Sequence, residues 1–375
     1  MKIFIVGTGT IGKPLIRLFL RMRKALDFEE IIYHKNTPEL KCRGMLKYFY
    51  EEGAKLAVYS EKVEGFREIL NHEPSCGFAP DYTFEEALER ADLIIDCTDK
   101  GLARKFKEKH FRHLKNKLGF MAQGSENGFG KPYAYGINDF PLEPGEEKYI
   151  QIVSCNTHQI LCVLNTLAFD PDHACACHFD NLEWARFYLA RRDSDISQEN
   201  GKIGVEVGEP VDFRYGSHQA VDAIRVLQTI DKERAGRLDI HAVADTFNNP
   251  FMHVVNFHIK LREKINVKEA ERRFRANPLT AVTYEMTNNQ VFGIGRDLGH
   301  FGRFLNHTIV CLPSLQIING VNGSGHEIIG RCFTPQDGNP LLSSMAAALW
   351  FRDPSTYQQK IKENFFKLPF IFDEV

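Results

Sequence analysis

The 375-residue chain lacks the features that mark several classes of protein. Its formal net charge is −2, so it has no basic excess of the kind that binds nucleic acid. No stretch approaches the roughly 18 consecutive apolar residues that a membrane span needs. The opening "MKIFIVGTG" reads at once as a strand instead of a signal peptide. Internal repeats and low-complexity segments are also missing. We therefore expect small-molecule ligands, with no nucleic acid and no membrane among the partners.

The cysteines do not form the pattern of a disulfide-stabilised protein. There are nine of them, an odd number, and they are scattered along the chain. This usage is typical of free thiols in a reducing compartment, so we expect a cytoplasmic protein. The cluster Cys175, Cys177 and His178 has its ligands too close together for zinc, and no second pair follows at the required spacing. No metal site is predicted.

The N-terminal stretch "KIFIVGTGTIGKPLIRLFLRM" predicts a strand, a glycine turn and an amphipathic helix. Gly7, Gly9 and Gly12 form the G-x-G-x-x-G pattern of a dinucleotide-binding turn, with the required strand before it and helix after it. A glycine turn without a ligand is the alternative interpretation. The predicted cofactor contacts of this turn are Gly7, Thr8, Gly9, Thr10, Ile11 and Gly12.

The end of the next strand, "EEIIYH", should report which dinucleotide binds. An NAD-selective site places a carboxylate there to hold the ribose 2′-hydroxyl. This chain has Lys35 instead, followed by Asn36 and Thr37. A cation with polar neighbours suits a 2′-phosphate, so NADP is predicted to be bound at least as well as NAD. A solvated loop lysine is the alternative.

Further strands complete the first half of a doubly wound α/β fold. "TFEEALERADLIIDCTDKG" predicts a helix capped by Thr83 and then a buried strand, and "KLGFMAQGSENG" predicts another strand that runs into a polar loop. Since ligands of such sheets face the carboxyl ends of the strands, Thr98, Gln123 and Gly124 are predicted to line the nicotinamide side.

Cys155 stands between the strand-like "YIQIVS" and an apolar helix. Ser154 is a good N-cap, which would place Cys155 in the first helical turn. The N–H groups and the positive helix end there stabilise a thiolate, so a lowered pKa and a nucleophilic role are expected. The alternative is an ordinary buried core cysteine.

From residue 181 the chain alternates in strand fashion and carries two helical stretches between the strands. We predict an α+β catalytic domain with a mixed, mostly antiparallel sheet at 154–335, after an N-terminal Rossmann domain at 1–153. Residues 336–375 are expected to pack back on the Rossmann domain.

The chain resembles the archaeal-type (type II) glyceraldehyde-3-phosphate dehydrogenases over nearly its whole length. The resemblance rests on stretches that occur in the same order, namely "GTGTIGK", "HKNTPE", "ADLIIDCTDKG", "AQGSEN", "VSCNT", "ARRDSD", "GSHQAVDAIRVL" and "FMHVV". It implies a tetrameric enzyme that uses NADP or NAD, a phosphorylated aldehyde and inorganic phosphate.

The resemblance also implies roles for individual residues. Cys155 would be the nucleophile and His253 the catalytic base. Without the resemblance, His253 would be interpreted as a core residue on a strand. The predicted contacts of substrate and phosphate are Asn156, Thr157, Arg191, Arg192 and His218, and Gln336 is a further predicted cofactor contact.

The chain departs from the family pattern in several places. Gln219 stands where the second histidine of a Ser-His-His box is expected, and Val255 replaces another histidine. Residues 319–340 match only loosely around Gln336, and a tail extends past Trp350. These differences leave two alternatives to a phosphorylating glyceraldehyde-3-phosphate dehydrogenase: a divergent paralogue with another aldehyde or acyl phosphate, and a non-catalytic nucleotide sensor.

Overall fold

The computed structural model describes residues 1–72, 75–169, 179–193, 204–319, 326–335, 337–366 and 370–375. Within these ranges the chain forms two sheets with helices around them. The strands of the first sheet are β1 (Lys2–Val6), β2 (Glu30–His34), β3 (Lys55–Val58), β4 (Tyr82–Thr83), β5 (Leu93–Asp96), β6 (Gly119–Gln123), β7 (Lys131–Tyr133) and β8 (Tyr149–Ile152). The strands of the second sheet are β9 (Leu182–Arg192), β10 (Val205–Glu206), β11 (Ile240–Phe247), β12 (Val254–Leu261), β13 (Thr280–Thr283), β14 (Thr308–Asn319) and β15 (His326–Phe333).

The helices lie between these strands and after them. They are α1 (Gly12–Met22), α2 (Arg43–Glu51), α3 (Val63–Asn71), α4 (Phe84–Arg90), α5 (Leu102–Lys109), α6 (Cys155–Leu167), α7 (His218–Ile230), α8 (Lys232–Arg237), α9 (Val267–Ala276), α10 (Asn288–Leu298), α11 (Gly338–Arg352) and α12 (Tyr357–Asn364). Short 3₁₀ turns occur at Leu40–Cys42, Ser60–Lys62, Phe111–His113 and Phe179–Asn181.

The first sheet has the strand order β4-β3-β2-β1-β5-β6-β8-β7. The neighbouring strands from β4 to β8 all pair in parallel. In this register Val6 lies opposite both His34 and Asp96, so the segments that follow β1, β2 and β5 leave the sheet at the same edge. The predicted Rossmann-type sheet is confirmed.

The second sheet has the order β10-β11-β9-β12-β15-β14-β13. The β11–β9 and β14–β13 pairs are parallel and the other pairs are antiparallel. The predicted mixed, mostly antiparallel sheet is therefore also confirmed. Strand β12 shows the alternation of a sheet with one buried face, since every second residue is buried, whereas all four residues of β13 are buried.

Local sequence signals account for several helix starts. The predicted capping box at Thr83 is present: its hydroxyl accepts a hydrogen bond from the Glu86 N–H, and the Glu86 carboxylate accepts one from the Thr83 N–H at 2.8 Å. Helix α6 has 11 buried residues among its 13, and they include both its apolar residues and the polar side chains of its first two turns.

The chain divides into two compact units. One consists of Met1–Lys131, Pro144–Ile152 and Ser344–Asn364, and the other of Pro132–Glu143, Val153–Ser343 and Phe365–Val375. Each has its own apolar core, that of the first around Phe4 and Phe84 and that of the second around α6. The domain limits drawn from the sequence remain a prediction.

Other sequence expectations concern what the chain should not contain. Among the described residues, no helix has both the length and the apolarity to cross a membrane. No group of three or more histidine, cysteine or carboxylate side chains within the described ranges is arranged to hold a metal ion. Cys175, Cys177 and His178 lie outside those ranges. The cysteines that are described are all free.

Candidate active site

Cys155 is the first residue of α6, as the sequence predicts. Ser154 before it is extended (φ −68°, ψ 161°), and its hydroxyl accepts a hydrogen bond from the Thr157 N–H at 3.4 Å. The same hydroxyl contacts Thr157 Oγ1 at 2.8 Å. The side chain of Cys155 is partly exposed, whereas Asn156 and Thr157 are buried. The helix start therefore presents the thiol and turns its two neighbours inward.

The expectation of a lowered thiol pKa at Cys155 is wrong. Burial raises the pKa of the Cys155 thiol to about 12, and the carboxylate of Asp337 contributes in the same direction. The positive charges of Arg192 and Arg191 oppose this effect, as does a hydrogen bond from the Asn156 N–H, but they do not outweigh it. Cys155 is therefore a protonated thiol at rest, and the helix start alone does not make it a thiolate.

His253 lies just before β12 and not on the strand, which corrects the sequence interpretation. The side chain of Asn249 accepts a hydrogen bond from the Phe251 N–H at 2.9 Å and donates one to the Met252 carbonyl at 3.1 Å. These bonds hold the chain in a turn, and ladder pairing begins only at Val254. The side chain of His253 is consequently placed by this turn and not by strand alternation.

The hydrogen bonding of His253 decides which proton it carries. The backbone N–H of Arg192 donates to His253 Nδ1 at 2.7 Å. Burial lowers the pKa of the imidazole well below its usual value, and Arg192 and Arg191 lower it further. A neutral ring whose Nδ1 accepts a hydrogen bond carries its proton on Nε2. His253 at rest is therefore a donor at Nε2, whereas the sequence predicted a base.

The two arginines at the end of β9 have different surroundings. Arg192 is buried, and its guanidinium donates from Nη2 to Asp337 Oδ2 at 2.9 Å. Arg191 is half-buried and lies close enough to Cys155 and His253 to affect the pKa of both. Because the charge of Arg192 is offset by a buried carboxylate, Arg191 is the better of the two for an added anion. Phosphate binding by the pair remains a prediction.

Thr334, Asp337 and Asn339 connect the parts of the site. Asn339 donates to the carbonyl of Cys155 at 2.9 Å, and the Thr334 N–H donates to the carbonyl of His253 at 3.0 Å. The Thr334 hydroxyl also donates to Asn156 Oδ1 at 3.1 Å. These bonds and the Arg192–Asp337 pair link three of the predicted site residues, namely Cys155, His253 and Arg192.

Sequence reasoning did not identify Thr334, Asp337 and Asn339 as parts of the site. Residues 319–340 stood out only as a departure from the family pattern. The signal that could have found these residues is the stretch "TPQDGN", which leads into the first turn of the apolar helix α11. Asp337 has a left-handed backbone (φ 63°), and a Cβ on Gly338 would lie 1.6 Å from the Phe304 carbonyl oxygen. The tight turn there fixes the Asp337 carboxylate beside Arg192.

His218 is the first residue of α7, and this helix starts close to the start of α6. Thr157 Oγ1 lies 3.5 Å from the Gln219 carbonyl oxygen. Ser217 Oγ and Gln219 Oε1 are buried and have no hydrogen-bond partner among the described residues. Two helix N-termini, with the Ser217 hydroxyl as a further donor, form a suitable environment for an anion. Binding of substrate or phosphate by Asn156, Thr157 and His218 remains a prediction.

Two buried histidine side chains pack against each other near the start of α6: His158, which belongs to this helix, and His307. His158 Nδ1 lies 3.0 Å from the Ser154 carbonyl oxygen, and its Nε2 lies 2.7 Å from Ser343 Oγ. Its ring packs edge-on against His307 with a centroid distance of 4.9 Å. Burial lowers the pKa of both rings, that of His307 to about 4. These neutral rings serve as packing and hydrogen-bonding groups beneath Cys155.

The glycine turn in the first unit has the geometry that a dinucleotide needs. Gly7 has φ 101°, and a Cβ on Gly12 would lie 2.1 Å from the Gly7 carbonyl oxygen, so both positions require glycine. A Cβ on Gly9 would meet no atom within 4 Å, so the space above it is open. The turn therefore fits the G-x-G-x-x-G pattern: Gly7 and Gly12 allow its close contacts, and Gly9 leaves room for a ligand.

The other predicted cofactor contacts lie after neighbouring strands of the same sheet. Gln123 ends β6 and donates to Ser344 Oγ at 2.9 Å, while its Oε1 has no partner among the described residues. Thr98 follows β5 and donates from both its N–H and its hydroxyl to Asp96. Gly124 has φ 75°. Gln336 lies outside the described residues, and the role of all these positions remains a prediction.

Lys35 follows β2, as expected, but it is not a solitary charge. Its Nζ lies 3.9 Å from Glu39 Oε2, and Lys41 Nζ lies 3.8 Å from the other oxygen of the same carboxylate. A 2′-phosphate near Lys35 would therefore lie close to Glu39 as well.

Comparison with known proteins gives a consistent result at low identity. No protein-family model matches the chain. It is 25% identical to glyceraldehyde-3-phosphate dehydrogenase of Sulfolobus acidocaldarius over 321 residues, which are 84% of this chain and 83% of that protein. It is 25% identical to the enzyme of the same name from Hyperthermus butylicus (86% and 84%) and 26% identical to that from Pyrobaculum islandicum (62% and 60%). These similarities support a dehydrogenase that is similar to the glyceraldehyde-3-phosphate dehydrogenases.

Proposed function

We propose that the chain is a phosphorylating aldehyde dehydrogenase that converts glyceraldehyde 3-phosphate, inorganic phosphate and NADP or NAD to an acyl phosphate and the reduced cofactor. The observation that carries the proposal is the set of contacts around the start of α6. It combines a partly exposed thiol, a neutral histidine with a donor at Nε2, and two arginines. The similarity to enzymes of this name supports the choice of substrate. The type II subfamily, a homotetrameric assembly and a cytoplasmic place in glycolysis or gluconeogenesis belong to the same proposal.

The glycine turn from Gly7 to Gly12 would hold the pyrophosphate, with Lys35 near the ribose and with Thr98, Gln123 and Gly124 near the nicotinamide. When bound, the nicotinamide supplies a hydride acceptor. The turn fits the group because its middle glycine is open and the N-terminal end of α1 follows it.

Cys155 forms the covalent bond to the substrate. The thiol loses its proton to water, and the sulfur attacks the aldehyde carbon, which converts the carbonyl oxygen to an alkoxide. Nε2–H of His253 donates first to the thiolate and then to this alkoxide, so one donor stabilises two successive anions. Arg191 and Arg192 assist the first step because their positive charges favour the thiolate.

Loss of the hydride from the adduct carbon to the acceptor that a bound nicotinamide would supply leaves a thioester on Cys155, and inorganic phosphate releases it. A phosphate oxygen attacks the acyl carbon, the C–S bond breaks, and Cys155 leaves as a thiolate that takes up a proton again. Arg191, His218 and the start of α7 are the proposed phosphate contacts, with Arg192 held in place by Asp337. The reverse reaction, reduction of an acyl phosphate, uses the same groups.

A divergent paralogue is the second candidate, because the phosphate side differs from the family pattern. Gln219 replaces a histidine there, and its side chain is buried at the start of α7 with Oε1 unsatisfied among the described residues. An amide instead of an imidazole would favour another phosphorylated or carboxylated aldehyde.

A turnover screen tests the proposal. Wild type and Cys155→Ala are compared with a panel of aldehydes, with and without phosphate, and with both cofactors. We expect reduced cofactor to form with glyceraldehyde 3-phosphate only when phosphate is present, and not at all in Cys155→Ala, although this variant should still bind the cofactor. The matched control is Cys42→Ala, which changes a partly exposed cysteine in the other unit. Turnover in Cys155→Ala, or activity that does not depend on phosphate, would contradict the proposal.

A further inference from the structure

The ends of β2 and β3 bring two segments together beside the glycine turn. His34, the last residue of β2, lies opposite Ala57, and the Lys35 N–H donates to the Ala57 carbonyl at 3.3 Å. The segment after β2 carries Lys35 and Asn36. The segment after β3 carries Tyr59 and then Lys62, which ends a short 3₁₀ turn.

Lys62 reaches across to the segment that follows β2. Its Nζ donates to Asn36 Oδ1 at 2.6 Å, although the two residues are 26 positions apart in the sequence. The same ammonium lies 5.6 Å from the centroid of the Tyr59 ring. These contacts hold the side chain of Lys62 beside the residues that the sequence predicts to contact the ribose.

The pKa of His34, the last residue of β2, responds to both Lys35 and Lys62, so both lysines lie near the end of this strand. Its ring is buried against Tyr59 and Phe84, with centroid distances of 4.8 and 4.9 Å. Burial lowers its pKa to about 4, and the charges of Lys62 and Lys35 contribute, with Lys62 the larger of the two. His34 therefore stays neutral near pH 7 and adds no charge of its own to this corner.

The two lysines differ in what already balances their charge. Lys35 shares the Glu39 carboxylate with Lys41, whereas Lys62 contacts the neutral amide oxygen of Asn36. An incoming phosphate would have to compete with a carboxylate at Lys35 but only with an amide at Lys62. At Lys62 a hydrogen bond between two charged groups would replace one from the ammonium to a neutral acceptor.

We propose that Lys62 binds the 2′-phosphate of NADP, with Asn36 holding the ammonium in position until the phosphate arrives and Lys35 as the second cation. This inference rests on the proposed dinucleotide site and names a residue outside the strand end that usually determines cofactor choice. Since hydrogen bonds to charged groups contribute about 1.5–3 kcal/mol, loss of Lys62 should weaken binding of the phosphate by at least tenfold.

The test measures binding and not turnover. Adenosine 2′,5′-bisphosphate and AMP differ by the 2′-phosphate alone, and isothermal titration of both against wild type, Lys62→Met and Lys62→Arg isolates that group. In Lys62→Met we expect the bisphosphate to bind at least tenfold more weakly and AMP to change less than twofold. Lys62→Arg, which keeps the charge, should retain most of the affinity. Lys47→Met is the matched control, since it removes an exposed lysine of α2 that pairs with Glu51, and it should leave both ligands within twofold.

Several results would overturn the inference. Equal loss of both ligands in Lys62→Met would mean that Lys62 supports the site in general, and no loss would mean that the phosphate does not reach it. A wild type that binds AMP as tightly as the bisphosphate would overturn the role of Lys62 while leaving an NAD-dependent enzyme intact. A wild type that binds neither nucleotide, nor NADP or NAD, would contradict the proposed function itself.

Discussion

His253 illustrates how one hydrogen bond sets the chemical role of a side chain. Because Nδ1 accepts the N–H of Arg192, the ring can donate from Nε2 but has no lone pair left for a proton from Cys155. Its low pKa agrees with this, since the imidazolium would be buried beside two arginines. We therefore propose that Cys155 depends on a donor that stabilises its thiolate and not on a neighbouring base.

Substitution of His253 distinguishes a donor from a base. We expect His253→Ala to slow the chemical step by roughly 10²–10³-fold, the usual effect of removing one oxyanion donor. His253→Gln should recover part of the rate because its amide still donates, and the wild-type rate should show no titration near the ordinary histidine pKa. Single-turnover stopped-flow measurements over a range of pH provide both readouts.

The control for this experiment is His258→Ala, a histidine on β12 that pairs with Glu327 on the neighbouring strand. It should leave the chemical step unchanged. If His253→Gln were as slow as His253→Ala, and the wild-type rate rose with pH through a histidine pKa, His253 would be the base that the sequence predicted.

At the scale of elements, the glycines of the turn between β1 and α1 have different roles. Gly12 is needed for the fold, and Gly9 leaves space for a ligand. A Cβ on Gly9 meets open space, whereas one on Gly12 would clash with the Gly7 carbonyl. Gly9→Ala should therefore keep the wild-type melting temperature but weaken NADP and NAD at least tenfold, because the added methyl occupies the space of the pyrophosphate. Gly12→Ala should lower the melting temperature, because β1 and α1 can no longer pack closely.

Fluorescence titration of both cofactors and thermal unfolding of both variants check this prediction. Gly44→Ala is a suitable control, because a Cβ at this position in α2 also meets no atom within 4 Å but lies outside the glycine turn. If Gly9→Ala bound the cofactors normally, the open space above the turn would not be the pyrophosphate site.

At the scale of the whole molecule, buried neutral histidines make stability depend on pH. Burial lowers the pKa of His34 and His307 to about 4, and His158 and His253 are shifted in the same direction. Between about pH 6.5 and pH 4 the unfolded chain binds protons at these sites and the folded chain does not. The free energy of unfolding should therefore fall as the pH decreases through this window. Asp96 acts in the opposite direction, since burial raises its pKa to about 6.

His307→Gln measures the contribution of one such site. The amide can still donate to the Tyr135 carbonyl, which accepts from His307 Nε2 at 2.8 Å in the native protein. Lowering the pKa of His307 from its usual range to about 4 corresponds to about 3 kcal/mol, so the variant should lose about 3 kcal/mol less stability than wild type between pH 7 and pH 4. Urea unfolding at a series of pH values gives the comparison. Parallel stability curves would show that His307 is not neutral in the folded state, and His113→Gln, an exposed histidine, is the control.

The sequence by itself determined the features that depend on neighbouring residues. The glycine turn after β1, the capping box at Thr83 and the start of α6 at Ser154 follow from backbone preferences and local hydrogen bonds. The periodicity of apolar residues likewise predicted a parallel sheet followed by a mostly antiparallel one.

Only the tertiary structure decided the electrostatics of the site. The pKa of Cys155 depends on its burial and on Asp337, which is 182 positions away in the sequence. The proton position on His253 depends on a backbone N–H that is 61 positions away, and Lys62 reaches Asn36 across two strands. The energies of desolvation and of charge–charge interaction depend on distances in space and on access of water. Local sequence therefore located the thiol and the resemblance located the histidine, but the folded environment determined their protonation.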